Sequence, residues 1–152
     1  MTATQTILLL ALLLAASPVS AAPMLDLAKA RAEQNLERRS KLALDNAAAE
    51  LQAAREAYRD GETEKLAAHI SAIEQSVDLA YESLKQTNKD PRRSPKWFKS
   101  AEIATRDLAR KLETFQQDMS FNDRAQLDQV KAKVQQVHDD LLLGLMEGKK
   151  HK

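Results

Sequence analysis

The chain has no cysteine, three glycines, four prolines and one tryptophan, and only 4% of its 152 residues are aromatic. Without cysteine it has no disulfide, no thiolate nucleophile, no lipobox anchor and no Cys-x-x-Cys-His haem attachment. Gly61, Gly144 and Gly148 are too scattered for a Gly-x-Ser-x-Gly elbow or a phosphate-binding loop. Scarce glycine and proline beside abundant Ala, Leu, Glu, Lys and Arg argue against a collagen-like chain or a sheet protein. Neither charge dominates: 23 Lys and Arg face 22 Asp and Glu, a net charge of +1. That balance argues against a dedicated nucleic-acid binder. His69 and His138 have no ligand type three or four residues away, the spacing a helical zinc site needs. Adjacent carboxylates such as Asp139 and Asp140 point about 100° apart on a helix and do not converge. No residue set points to a reaction type, so neither an enzyme nor a bound metal or cofactor is expected.

One long apolar run is present, at the start. Ile7 to Ala16 reads ILLLALLLAA, followed by Ser17, Pro18, Val19, Ser20, Ala21 and Ala22. A bilayer span needs about 20 residues, so the run is too short for one. The pattern predicts a signal peptide over residues 1–21, cut after Ala21, although residues 1–6 carry no Lys or Arg. Cutting after Ala22 would place Pro23 next, which peptidases tolerate poorly. The remaining chain is expected to be periplasmic or secreted, and to be held by its apolar core alone.

The rest is helical in period. Apolar positions alternate at spacings of three and four in four segments. The second segment reads Leu66, Ile70, Ile73, Val77, Ala80, Leu84. The third reads Phe98, Ala101, Thr105, Leu108, Leu112, Phe115, Met119, and the fourth Leu127, Val130, Val134, Val137, Leu141. The first is Ala-rich: Leu25, Ala28, Ala32, Leu36, Ser40, Leu44, Ala47, Leu51, Ala54, Tyr58. Breaks fall at Asp60-Gly61, where Gly61 suits a left-handed helix end, at Lys89 to Pro95, and at Ser120 to Asp123. Ser94 suits an N-cap with Pro95 as first helical residue, and Ser120 or Asn122 suits the cap of the last helix. The expected fold is all-α: an antiparallel up-down-up-down four-helix bundle over residues 22–147, with a long, Ala-rich first helix. Residues 148–152 are expected to form a basic, flexible tail. A first helix over about residues 24–60 would run about 54 Å, against about 36–39 Å for the others. Its start must overhang the bundle or fold back, and nothing from Lys29 to Ser40 demands a kink.

This topology polarises a near-neutral chain. One pole collects Lys89, Arg92, Arg93, Lys96, Lys99, Lys149, Lys150 and Lys152 against Asp90 and Glu147, a net +6. The other holds residues 58–65 and 118–124, with a net −2. The basic pole also carries Trp97, Phe98 and the run Leu141 to Met146, apolar on every face. The start of the first helix, through Leu25 and Leu27, is the plainest cover for that run. A partner is the sharper alternative. The candidate partner-binding residues are Arg92, Arg93, Lys96, Trp97, Phe98, Leu142, Leu145 and Met146. The expected partner is another protein of the envelope, with self-association through the first helix as a further option. Nucleic acid is not expected. Basic residues beside an aromatic are also compatible with anionic lipid headgroups.

The stretch from Pro95 to Met146, PKWFKSAEIATRDLARKLETF and then VHDDLLLGLM, resembles exported bacterial helical-bundle proteins. That resemblance implies a bacterial envelope or secreted location and brings no activity, cofactor or catalytic residue. The stretch from Asp60 to Glu82 is loosely similar to the last helix of soluble b-type cytochrome bundles. The haem histidine of that family would fall near Glu82, so the position that matters is not met. The spacing of Ala54, Tyr58, Gly61 and Leu66 resembles a single tetratricopeptide-like turn, and its period does not recur. The expected function is a non-enzymatic, exported interaction or structural module of the bacterial envelope. The alternative is a bundle that binds a small ligand or a haem-like cofactor.

Overall fold

A computed structural model describes the fold of residues 22–148. The signal peptide expected over 1–21 and all of the expected tail except Gly148 lie outside the described residues. The described residues are helical, with four long helices packed together: α1 (Ala22–Ala32), α2 (Leu36–Arg59), α3 (Thr63–Gln86), α4 (Pro95–Asp118) and α5 (Asp128–Glu147). The first of these is short and the other four are the long ones.

The seams read from periodicity form the core. Every seam position of α4 and α5 is buried, as is every one of α3 except Ile70, which is half-buried against the core. A heptad stripe buries one face and leaves the rest to solvent, which is why charged residues fill the remaining positions.

The long first helix needs correction, because it is two helices. Residues 33–35 break it, and the break has a local cause. The Asn35 side chain accepts from the Arg38 backbone N–H at 2.9 Å and caps α2. The Asn35 N–H donates to the Glu33 carboxylate at 2.9 Å, and Arg39 Nε donates to the Glu33 carbonyl at 2.8 Å. Asparagine offers the backbone a competing partner and so favours a cap over a helix interior. Beyond the break the heptad phase resets: Leu27 and Ala30 are buried, while Ala28 and Ala32 are exposed. α1 packs on α2 and α3. In the last turns of α5, Leu142 and Met146 stay exposed. Asn35→Ala is expected to lower stability by about 1 kcal/mol, within the usual 0.5–2 for a lost cap. Unchanged denaturant unfolding would show that the side chain does not set the break.

The cap at the last helix also differs. Ser120 to Asp123 form a turn, a 3₁₀ turn follows over Arg124–Leu127, and α5 starts only at Asp128. Asp123 is held in that turn by Ser120 Oγ at 2.6 Å and by the Tyr58 hydroxyl at 3.1 Å. At the other turns the reading fits: Gly61 has φ +72°, and Pro95 opens α4 after Ser94. The Ser94 side chain makes no capping bond.

Cross-helix pairs give the register. Between α2 and α3, Asn46 reaches Ser76 and Glu50 reaches His69, so numbers rise on one helix as they fall on the other. Between α4 and α5, Glu102 reaches His138 and Gln116 reaches Asp128 in the same sense. Between α3 and α5 the numbers rise together, from Glu74–Gln129 to Asp78–Lys133. α3 touches α4, its successor in the chain, less than it touches α5. The connection over residues 87–94 therefore does not lead to the helix that packs most closely on α3.

Candidate functional site

The basic pole is built by the loop between α3 and α4. Asn88 takes a left-handed φ of +55°, which asparagine tolerates better than most residues. The Asp90 carboxylate accepts from the Arg92 N–H at 2.8 Å, and its carbonyl accepts from Ser94 N–H at 2.9 Å. These bonds fold the loop into a compact turn that leads into Pro95. Lys89 Nζ meets the Glu37 carboxylate at 2.6 Å and ties the loop to the start of α2.

The same loop lies on the end of α5. A Cβ added at Gly144 would stand 3.3 Å from Pro91 Cγ, so the glycine lets Pro91 sit against the helix. Gly148 closes α5 with φ +78°, its N–H donating to the Gly144 carbonyl at 2.8 Å. A Cβ there would stand 3.0 Å from Arg92 Cδ. The first residue of the expected flexible tail is thus packed against the loop.

The eight sequence-predicted residues do not form one surface. Arg92, Arg93 and Lys96 are exposed. Leu142 is 40% and Met146 68% exposed. Phe98, by contrast, is buried in the core. Trp97 is half-buried against the core, with Lys96 Nζ 5.3 Å from its ring centroid. Leu145 also packs on the core. Phe98 is therefore a core residue, and Leu145, like Trp97, is partly buried against the core. The reason is the seam itself: Phe98 is a seam position, and Leu145 follows Leu141 by four. Leu143, part of the same apolar run but not among the eight, is 44% exposed.

Beside the loop is a cleft of about 270 Å³. Leu84, Phe98 and Leu141 form its apolar floor, and Tyr81, Lys85 and Asp140 stand at its edge. Burial pushes the Tyr81 phenol above its ordinary range, and the Asp140 carboxylate adds to the shift. Sequence reasoning missed this cleft, because it needs the loop to meet α3 and α5.

It also missed two buried glutamates. Glu50 is 3% exposed and its carboxylate lies 2.6 Å from His69 Nδ1. Glu102 is 7% exposed and lies 3.0 Å from His138 Nε2. Each pair joins two helices consecutive in the chain, α2 with α3 and α4 with α5. Both histidines reach inward to these carboxylates. His138 also meets Asp139 at 3.1 Å, which with Gln135 holds the Asp139 carboxyl below its ordinary range. Among the described residues no group of three or more His, Cys, Asp or Glu is placed to hold a metal ion.

A second groove, about 500 Å³, runs between α4 and α5 past Arg106, Arg110, Lys131 and His138. Its cations already have acidic partners: Arg106 with Glu102, Arg110 with Asp107, and Lys131 with Glu113. Arg92, Arg93, Lys96 and Lys99 form no ion pair among the described residues. Charge free to meet an outside partner therefore gathers at the pole rather than in the groove. Comparison with protein-family models, with curated proteins and with solved structures finds no match to this chain.

Proposed function

We propose that this protein is a non-enzymatic, exported helical bundle that serves as an interaction or structural module of the bacterial envelope. Its working end is the basic pole, and its partner is an acidic component of that envelope. Its chain path is up-down-up-down: two antiparallel hairpins, α2 with α3 and α4 with α5, lying side by side. The register of the cross-helix pairs supports that path. One observation carries the functional reading. The loop and the start of α4 carry Arg92, Arg93, Lys96 and Lys99, without ion pairs among the described residues, at the same pole as exposed Leu142 and Met146. Exposed apolar side chains in a group are usually binding surface.

The test is retention of the protein by bacterial envelopes. Changing Arg92, Arg93 and Lys96 together to Glu is expected to release it by at least about tenfold, since six units of charge change at one tip. Helicity and melting should stay as they are, because all three side chains are exposed. Undiminished retention would remove the pole from the mechanism. A second reading, a bundle that binds a small ligand, draws on the cleft floored by Leu84, Phe98 and Leu141. It predicts an added mass of a few hundred daltons in native mass spectrometry of protein taken from its own envelope. A bare chain that no ligand extract restores would end it.

A further inference from the structure

We propose that the basic pole seats on an anionic lipid surface, with Leu142, Leu143 and Met146 entering the headgroup boundary. This inference rests on the pole being the working end and names its partner. The three residues are 40%, 44% and 68% exposed and share the outer side of the last two turns of α5. Among the described residues only two other large apolar side chains, Ile103 and Phe121, are as exposed, and neither is at this pole.

Cations stand at the same pole. Arg92, Arg93, Lys96 and Lys99 are exposed and form no ion pair among the described residues. The packing of Pro91 on Gly144 and of Arg92 on Gly148 fixes the loop against the end of α5, so charge and exposed apolar turns share one pole. In the sequence, Lys149, Lys150 and Lys152 follow directly. An anionic surface is the electrostatic complement.

A protein partner fits less well. Interface centres are anchored by aromatic residues and are poor in lysine. Here Phe98 is in the core and Trp97 is half-buried under Lys96. The pole is left with exposed aliphatic side chains on α5 and exposed Arg and Lys on the loop and the start of α4. A bilayer accepts that set: acyl chains take Leu and Met while phosphates take the cations. No described helix is long and apolar enough to cross a membrane, so the described part of the chain would lie on the surface.

Vesicle sedimentation tests the proposal on protein recovered from a bacterial envelope, its N-terminus read by mass spectrometry. Vesicles of phosphatidylglycerol with phosphatidylcholine should bind at least about tenfold better than phosphatidylcholine alone. Two triple variants should each lose at least about tenfold in binding while keeping the parent's circular dichroism and melting. One is Leu142→Ser, Leu143→Ser and Met146→Ser; the other is Arg92→Gln, Arg93→Gln and Lys96→Gln. Residues 1–21, where retained, are the same in every variant, so they cannot produce these losses. Equal binding to both lipids, no binding, or binding indifferent to the serine variant would overturn the proposal. If vesicles fail but protease-sensitive envelope retention survives, the partner is a protein: the lipid inference falls and the working-end reading stands. If the charge reversal leaves envelope retention intact, the working-end reading falls as well.

Discussion

His69→Ala is expected to lower the free energy of unfolding by about 3–5 kcal/mol, the usual cost of removing one member of a buried pair. Glu50 is 3% exposed, and His69 Nδ1 lies 2.6 Å from its carboxylate. Alanine would leave that carboxylate between α2 and α3 without its partner. The surface ion pairs offer a contrast. Lys41–Asp45, Lys65–Glu62 and Lys85–Glu82 are all well exposed, and each contributes about 0–1 kcal/mol. Denaturant unfolding at fixed pH measures the difference. The pair Glu50→Leu with His69→Leu should lie far closer to the parent than His69→Ala does, because an apolar replacement leaves no orphaned group. A loss below about 1 kcal/mol for His69→Ala would mean that water or a shifted side chain satisfies Glu50.

Phe115→Ala should cost about as much, 3–5 kcal/mol, for a different reason. Phe115 is 2% exposed. Tyr58 meets its ring edge-on, with centroids 5.9 Å apart, and the Arg55 guanidinium lies 5.6 Å from the centroid. Truncation would open a cavity where α2 meets α4. It would also unsettle Tyr58, whose hydroxyl accepts from the Ser120 N–H at 2.8 Å and donates to Asp123. The damage should therefore reach the turn before α5. Phe115→Leu, which keeps most of the volume, should recover much of the loss. Equal losses for Ala and Leu would assign the effect to the aromatic contacts rather than to the cavity.

Most of the core was legible because each stripe had one period to obey. Ile73, Val77, Leu108, Leu112, Val130, Val134 and Val137 are buried where their spacing puts them. Ile70 is only half-buried, at the flank of its stripe. What escaped were features without a period. The break at residues 33–35 depends on the side chains of Glu33, Asn35 and Arg39 acting together, and none of them alone forbids a helix. Glu50 and Glu102 look like any surface glutamate in the chain. Their burial depends on a histidine 19 or 36 residues away. The candidate site was legible in its charge, since a loop rich in Arg and Lys at one pole follows from topology. Its aromatic part was misread. A stripe buries seam residues wherever they fall, and Phe98 falls on one.

The two helix pairs, α2 with α3 and α4 with α5, are filled with different material. On α2 the buried face is largely Ala43, Ala47, Ala54 and Ala57, and α3 answers with Ser76, Ala80 and Ser83 as well as larger residues. On α4 and α5 the buried face is mainly Phe98, Leu108, Leu112, Phe115 and a row of valines. Drift in sequence should therefore be tolerated in opposite directions by the two halves. Methyl-lined contacts have no room for a larger side chain, so added bulk must push α2 and α3 apart. Contacts made of rings and branched chains fail instead by loss of bulk, as holes that their neighbours fill only in part.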